Sequence, residues 1–316
     1  KNFSFALINF VLRHLVILDN VIDMYMEKPY DKKTVERQIL RIGLAQLIFM
    51  DSVEEFACIH TSVDLAKVMC NGQDKTVNAI LRRAQREVYD YVEDNAEMLY
   101  ALPQWIERLI DRDYPQKGYS IKTAMLSQSK IYIRLRGRKA QEFVKKNATS
   151  VRYLPGAWEL KEGVAVETIP GIRQFSVYVQ DIASQLVGHI LATKIEQDGK
   201  LEDKIELLDM CAAPGGKTMH LADLLPYANI TACDNSLSRI KTLDHNVEKA
   251  FGDDHNINVM VNDARKPEFK ANSFDYLLLD APCSGLGISR KHIDVLHLRA
   301  EKEVAKVIKL QAEILP

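Results

Sequence analysis

Four apolar runs in the second half of the chain each close on an aspartate, and this recurrence constrains the fold more than any other feature. They occupy residues 205–209, 230–234, 257–263 and 274–280. Helical spacing fills the stretches between and after them, near 217–225, 236–250 and 301–315, and a long helix is expected before them over 180–194. Alternation of this kind predicts a parallel, doubly wound sheet. The aspartates then fall at its carboxyl edge, where open α/β sheets bind ligands. A single aspartate there is explained as a helix cap, but four in register predict a ligand-facing rim.

The turns after the first and last of these runs carry the chemistry. The first reads Asp209-Met210-Cys211-Ala212-Ala213-Pro214-Gly215-Gly216-Lys217-Thr218. Gly215 and Gly216 let the backbone turn sharply and approach a ligand. The amides at the start of the following helix favour a negative group. The spacing is neither Gly-x-Gly-x-x-Gly nor a P-loop. Asp234 ends the second run, where a carboxylate accepts both ribose hydroxyls of an adenosine cofactor, and Asp263 ends the third, within reach of an adenine edge. A ribose and an adenine site without a diphosphate loop point to S-adenosylmethionine rather than NAD.

The last run leads into Asp280-Ala281-Pro282-Cys283-Ser284-Gly285. Cys283 is the reactive candidate, placed beside Asp280 with Lys217, Arg290, Lys291 and His292 as basic neighbours that favour the thiolate. A thiolate added at C6 of cytosine makes C5 nucleophilic enough to accept a methyl group. Cys58, Cys70 and Cys233 are expected to be buried packing residues. With five cysteines at irregular spacing and no Cys-x-x-Cys pair, neither a disulfide framework nor a metal site is expected, and reduced thiols fit a cytoplasmic protein.

The rest of the chain divides by pattern into a helical part over 1–100, a small α+β segment over 101–175 that links or binds RNA, and the α/β part over 176–316. In the first part Phe3, Leu7, Phe10, Val11, His14, Leu15 and Leu18 recur at helical spacing. Asp31 is expected to cap a second helix, a third runs near 56–69, and Asp74 caps a fourth carrying Val77, Ile80 and Leu81. Arg82, Arg83 and Arg86 suit either RNA or a solvated face. In the middle segment a helix is expected over 105–110, and strands over 131–135 and 164–166.

Net charge is −1, so any nucleic-acid surface must be local. Residues 130–152 supply one, with eight basic residues against the single Glu142. Arg134, Arg136, Arg138 and Lys139 are its phosphate-binding candidates, and Tyr132 and Tyr153 are candidates for base stacking. No apolar stretch is long enough to span a bilayer. The chain opens at Lys1 inside a helical pattern and stops at Pro316 inside another, which reads as a segment of a longer protein.

Residues 209–218 and 280–285 resemble the cofactor and active-site motifs of RNA cytosine-5 methyltransferases. Val179-Gln180-Asp181, with Ala183 and Gln185, is similar to that family's helix before the catalytic sheet. Gly43-Leu44-Ala45-Gln46-Leu47 and Val77-Asn78-Ala79-Ile80-Leu81-Arg82-Arg83 resemble the NusB-like RNA-binding domain fused to the bacterial 16S rRNA methyltransferase B group, also called Sun or Fmu. Ile288 to Asp294 matches that group after the active-site motif.

The resemblance implies a NusB-like bundle, a small α+β domain and a Rossmann-like methyltransferase domain incomplete at its C-terminus. It implies rRNA processing, with S-adenosylmethionine as methyl donor and 5-methylcytosine in 16S rRNA as product. The partner implied is 16S rRNA, free or in an early assembly intermediate, met by a monomer. Residues Cys211 to Lys217 (Cys211, Ala212, Ala213, Pro214, Gly215, Gly216 and Lys217) would line the methionine part of the cofactor. Asp234 would hold the ribose, Asp263 the adenine, and Asp280 would stand near sulfonium and base. Arg290, Lys291 and His292 join the RNA candidates. In RNA enzymes of this family the attacking thiol usually comes from a later Thr-Cys, and the Pro-Cys thiol helps release product. This sequence contains no Thr-Cys, so the nucleophile is expected beyond residue 316. Two rival readings are a tRNA cytosine-5 methyltransferase and a non-catalytic RNA-binding or assembly factor that retains the fold.

Overall fold

The structure, a computed structural model, describes residues 2–26, 28, 30–138 and 140–315. It divides into two compact units: Lys1–Ser129 with Ser284–Ala305, and Lys130–Cys283 with Lys306–Pro316.

The first unit is helical: α1 (Asn2–Arg13), α2 (Leu15–Met24), α3 (Val35–Phe49), α4 (Glu55–Met69), α5 (Asp74–Asp94), α6 (Gln104–Asp113) and α7 (Gly118–Leu126). Residues spaced three and four apart on α2, α3 and α5 supply its core, with Ile17, Leu18, Val21, Leu40, Leu44 and Leu81 fully buried. Gly43 lets α3 approach its neighbours, because a Cβ there would lie 2.9 Å from Leu81 and 3.0 Å from Ser62. Inside this core Asp19 accepts from Arg37 at 3.0 Å and from Arg41 at 2.7 Å, so a buried carboxylate is matched by two guanidiniums. The first helical pattern breaks at His14, and α1 and α2 meet at 73°. No single helix among the described residues is long and apolar enough to cross a membrane.

Two caps differ from expectation. Thr34, not Asp31, caps α3, its hydroxyl accepting from the Arg37 amide, while Asp31 accepts from the Lys33 amide one turn earlier. Asp74 is the first residue of α5 and Gln73 its cap. The division also departs from boundaries at 100 and 175. Leu102, Ile106, Ile110 and Leu126 share one core with Ile293 and Leu296 and with Leu12 of α1, which draws residues 101–129 and 284–305 into the first unit.

The second unit holds two four-stranded sheets. β1 (Tyr132–Leu135), β2 (Ala148–Ser150), β3 (Ala157–Leu160) and β4 (Val177–Val179) form an antiparallel sheet ordered β2-β3-β1-β4, with α8 (Gln141–Asn147) crossing from β1 to β2. Residues 164–166 are not the expected strand. Gly163 turns the chain at φ 78° and a short 3-10 turn over Val166–Thr168 follows, with the Thr168 hydroxyl donating to the Ala165 carbonyl.

After α9 (Ile182–Gln197) come β5 (Glu206–Met210), α10 (Gly216–Leu224), β6 (Asn229–Asp234), α11 (Leu237–Phe251), β7 (Ile257–Val261) and β8 (Tyr276–Leu279). This sheet is parallel throughout, in the order β7-β6-β5-β8. β5 is central, and Leu207, Leu208 and Met210 are buried, as strands covered on both faces require. The chain runs outward from β5 through β6 to β7 and then returns to the other side of β5. The topological switch therefore lies between β5 and β8, where the two motif-bearing turns leave the sheet. α12 (Val295–Leu298) and α13 (Glu301–Ile314) follow.

Candidate active site

The turn after β5 is held in place through its carbonyls. Ala213 accepts from the Arg239 guanidinium, Pro214 from Asn246 Nδ2 at 2.9 Å, and Gly216 from Gln180 Nε2 at 3.2 Å. Two backbone positions are left-handed, Cys211 at φ 62° and Gly215 at φ 103°. A Cβ on Gly215 would stand 2.5 Å from Leu243 Cδ1, so the turn and α11 close on each other only through a glycine. Burial, with Asp234 nearby, pushes the Cys211 thiol above its ordinary range.

The two turns meet through Lys217, whose Nζ lies 2.6 Å from Asp280 Oδ2. Cys283 follows three residues later and is exposed. The peptide before it is anchored, since the Pro282 carbonyl accepts from Gln311 Nε2 at 2.7 Å.

The four aspartates are not equivalent. Asp234 ends β6 and is buried, one oxygen accepting from the Ser236 amide at 3.1 Å. Its other oxygen is buried with no hydrogen bond, although Arg239 Nη1 stands 3.0 Å away. An open buried carboxylate oxygen at a parallel-strand end suits a pair of ribose hydroxyls, so Asp234 and the glycine turn fit the nucleoside cofactor expected here. Asp209 departs from the expected rim. It lies one residue inside β5, fully buried, with Oδ2 accepting from the Thr218 hydroxyl at 2.6 Å and Oδ1 unpartnered. Burial, reinforced by the Asp280 charge, pushes its carboxyl up to about 7. Asp263 departs as well, since both its oxygens accept from the Arg265 guanidinium at 2.6–3.1 Å and hold it down to about 2. An adenine edge there would meet a closed Asp263–Arg265 pair rather than a free carboxylate.

The basic candidates also separate. Arg134 is buried and Arg136 is tied down beside it. Both donate to Asp223, Arg136 at 2.8 Å, and their guanidiniums lie over the rings of Tyr178 at 3.9 Å and Phe251 at 3.7 Å. Arg136 also donates to the Ala250 carbonyl. They pin the small sheet to α10 and α11, so Arg134 is buried and not the free surface cation expected, whereas Arg136 stays exposed. Arg138 is exposed, and Lys139 lies outside the described residues. Arg290, Lys291 and His292 belong to the first unit, where Ser289 donates to the Met125 carbonyl and Arg290 to the Gln128 carbonyl. Among the described residues no cluster of metal-ligating side chains is present. Arg239 and Asn246, which fix the cofactor turn, carried no sequence signal, being ordinary polar positions on an amphipathic helix.

Two family models match, that of 16S rRNA methyltransferase RsmB/F over residues 199–316 and that of the NusB family over 1–86. Ribosomal RNA small subunit methyltransferase B of Vibrio vulnificus is 30% identical over 96% of this chain and 72% of its own length. The protein of the same name from Vibrio cholerae is 30% identical over 96% and 71%. The crystal structure of PH0851 covers 98% of this chain and 72% of that one, with a TM-score of 0.69 at 21% identity. NSun6 from Pyrococcus horikoshii with SFG covers 69% and 79%, with a TM-score of 0.54 at 17% identity. These two structures show a shared fold. The relatives' identity and coverage, with the family model over residues 199–316, place this chain in the RsmB/F family of 16S rRNA methyltransferases, as an RNA cytosine-5 methyltransferase that uses S-adenosylmethionine.

Proposed function

We propose that this chain methylates C5 of a cytosine in 16S ribosomal RNA through a covalent cysteine adduct. The observation that carries the proposal is the pairing of Lys217 with Asp280, which brings the cofactor turn and the Pro282-Cys283 turn to one crevice at the sheet's switch point. When bound, S-adenosylmethionine supplies an electrophilic methyl group. Asp280 is the acidic group that faces the target base, and the loop from Cys211 to Lys217, with Asp234, orients the cofactor. Asp263, already paired with Arg265, is assigned to the adenine side.

The cytosine must leave its stack to reach this crevice. A thiolate adds to C6, C5 takes the methyl group, a base removes the C5 proton, and the thiolate departs as the C5–C6 double bond reforms. Cys283, exposed and three residues beyond Asp280, is assigned to this release step, with the attacking thiol in a Thr-Cys outside these residues. The names of the relatives and the NusB-family match at the front support rRNA as substrate; it is proposed to be met, free or in an early assembly intermediate, by a cytoplasmic monomer. Residues 1–100 then serve as an RNA-binding front and 176–316 as the catalytic part. Arg138, Arg290, Lys291 and His292, with Lys139, are the proposed phosphate contacts.

The test uses protein carrying the Thr-Cys, S-adenosylmethionine and 16S rRNA, followed by mapping of 5-methylcytosine and a denaturing gel. Cys283→Ala is expected to accumulate a covalent protein–RNA band. A variant that yields neither adduct nor methylated RNA makes Cys283 the nucleophile. Methylation of tRNA alone, or of no RNA by the unaltered protein, overturns the substrate or the catalytic reading respectively.

A further inference from the structure

Between the small antiparallel sheet and helices α9 and α10 lies a polar cavity of about 320 Å³, separate from the cofactor turn. Arg134 of β1 and Arg136 just beyond its end border it, with Gln185 and His189 from α9, and His220 and Asp223 from α10. Asp223 gives one oxygen to each arginine, so two guanidiniums share one carboxylate. Burial, with Arg134 beside it, lowers the His220 imidazole to about 3, and His189 is lowered by burial as well, so neither adds positive charge at neutral pH. The cavity keeps one uncompensated positive charge.

Three polar atoms of its lining side chains are left without a hydrogen bond, His220 Nδ1 among them. Arg134 Nη2 is a donor without an acceptor, on a side chain 4% exposed, and Gln185 Oε1 is an acceptor without a donor, on a residue 1% exposed. The amide nitrogen of Gln185 is already committed to the Gln180 carbonyl at 2.9 Å, so its oxygen must face a donor. Unsatisfied groups this deep call for a partner. A bare oxyanion answers Arg134 but not Gln185. What answers both, and also the uncompensated positive charge that a water leaves unmet, is a phosphate with a hydroxyl beside it.

The geometry points to this cavity as a binding site for a phosphate group that carries an adjacent hydroxyl, the phosphate accepting from Arg134 and the hydroxyl donating to Gln185. The ribose-phosphate unit of RNA, whose 2′-hydroxyl DNA lacks, has this chemistry, as does inorganic hydrogen phosphate. The RNA form rests on the function proposed above and adds to it a means of telling RNA from DNA far from the target base. One further contact ties the site to catalysis. Gln180 accepts from Arg134 Nε at 2.9 Å and donates to the Gly216 carbonyl at 3.2 Å, so a single side chain joins the cavity to the cofactor turn.

The test measures binding of a short single-stranded RNA and of the DNA of the same sequence, with inorganic phosphate as a third probe. RNA is expected to bind roughly tenfold tighter than DNA, as one added hydrogen bond to a buried acceptor provides. Gln185→Leu is expected to bring RNA to the DNA value and to leave S-adenosylmethionine affinity within about twofold. Imidazole NMR signals of His189 and His220 in the unaltered protein, a readout independent of that variant's folding, are expected to move with RNA and not with DNA. If inorganic phosphate alone moves them, and Gln185→Leu abolishes that response while the RNA preference stays, the occupant is free phosphate. If no probe moves either signal, the site is overturned. An RNA preference that survives Gln185→Leu with the imidazoles silent overturns the cavity alone and leaves the methyltransferase reading intact. Absence of any RNA binding overturns both.

Discussion

Lys217 Nζ stands 2.6 Å from Asp280 Oδ2, across 63 residues of chain. The pair joins the turn after β5 to the end of β8, the two strands that flank the topological switch. The ammonium thus holds in place the carboxylate proposed above to face the target base, and the carboxylate keeps Lys217 beside the cofactor turn. Asp280→Asn keeps the shape and removes the charge. It is expected to lower kcat by about a hundredfold, within the range of a lost acid–base group, and S-adenosylmethionine affinity by less than about tenfold. Single-turnover methylation and calorimetry separate the two effects. Equal losses in both would make Asp280 a cofactor ligand only.

Asp234 presents the opposite case, a buried carboxylate whose second oxygen has no hydrogen bond in the protein. Asp234→Ala is expected to weaken S-adenosylmethionine binding by about 10- to 100-fold, the effect of losing charge-assisted hydrogen bonds. The same change removes the acceptor of the Ser236 amide and the partner of Arg239, so the melting temperature of the cofactor-free protein is expected to fall. Calorimetry showing unchanged affinity would remove Asp234 from the ribose.

Adjacent glycines in the cofactor turn are expected to respond differently. Gly215 combines φ 103° with a neighbouring Leu243 methyl 2.5 Å from where a Cβ would stand. At Gly216, the first residue of α10, the nearest atom is Gln180 Nε2 at 3.9 Å. Gly215→Ala is expected to cost about 1–3 kcal/mol, from backbone strain and overpacking. Gly216→Ala is expected to stay within about 0.5 kcal/mol. Chemical denaturation of both variants measures the difference, and equal losses would show that the turn relaxes freely.

The sequence made the parallel sheet legible because helices α10 and α11 separate β5, β6 and β7, and the run ending at Asp280 repeats the same apolar pattern. Asp234 was legible because it is the last residue of its strand. Asp209 read the same way, yet Met210 continues β5 past it, and one further residue of strand turns the carboxylate from the rim into the interior. Arg134 shows a second limit. In a run of eight basic residues it looks like its neighbours, but its partner Asp223 lies 89 residues away on α10. Only the packing of β1 against that helix separates a buried clamp from a surface charge. The domain division was hidden for the same reason, because Ile293 and Leu296 join the core of α6 and α7 from 167 to 190 residues downstream.

Asp209 and His220 give the second unit opposing pH responses. The Asp209 carboxyl is raised from 3.8 to about 7, so its proton is retained on folding and released on unfolding between those values. Its contribution to stability is present below about 4 and is lost as pH rises towards 7. The His220 imidazole is lowered from 6.5 to about 3, so unfolding takes up a proton there. Its contribution is present above 6.5 and is lost as pH falls towards 3. Between about pH 4 and 6.5 the two slopes have opposite sign, each at most about 1.4 kcal/mol per pH unit, and they nearly cancel. Asp209→Asn removes one of them and keeps an acceptor for Thr218. The variant is expected to lose stability more steeply than the unaltered protein on acidification from about pH 6.5 to about pH 4.5, the other lowered imidazoles, His14, His189 and His297, being common to both. Urea denaturation midpoints for the two proteins at these limits make the comparison. Parallel profiles would mean that the Asp209 carboxyl titrates in its ordinary range despite its burial.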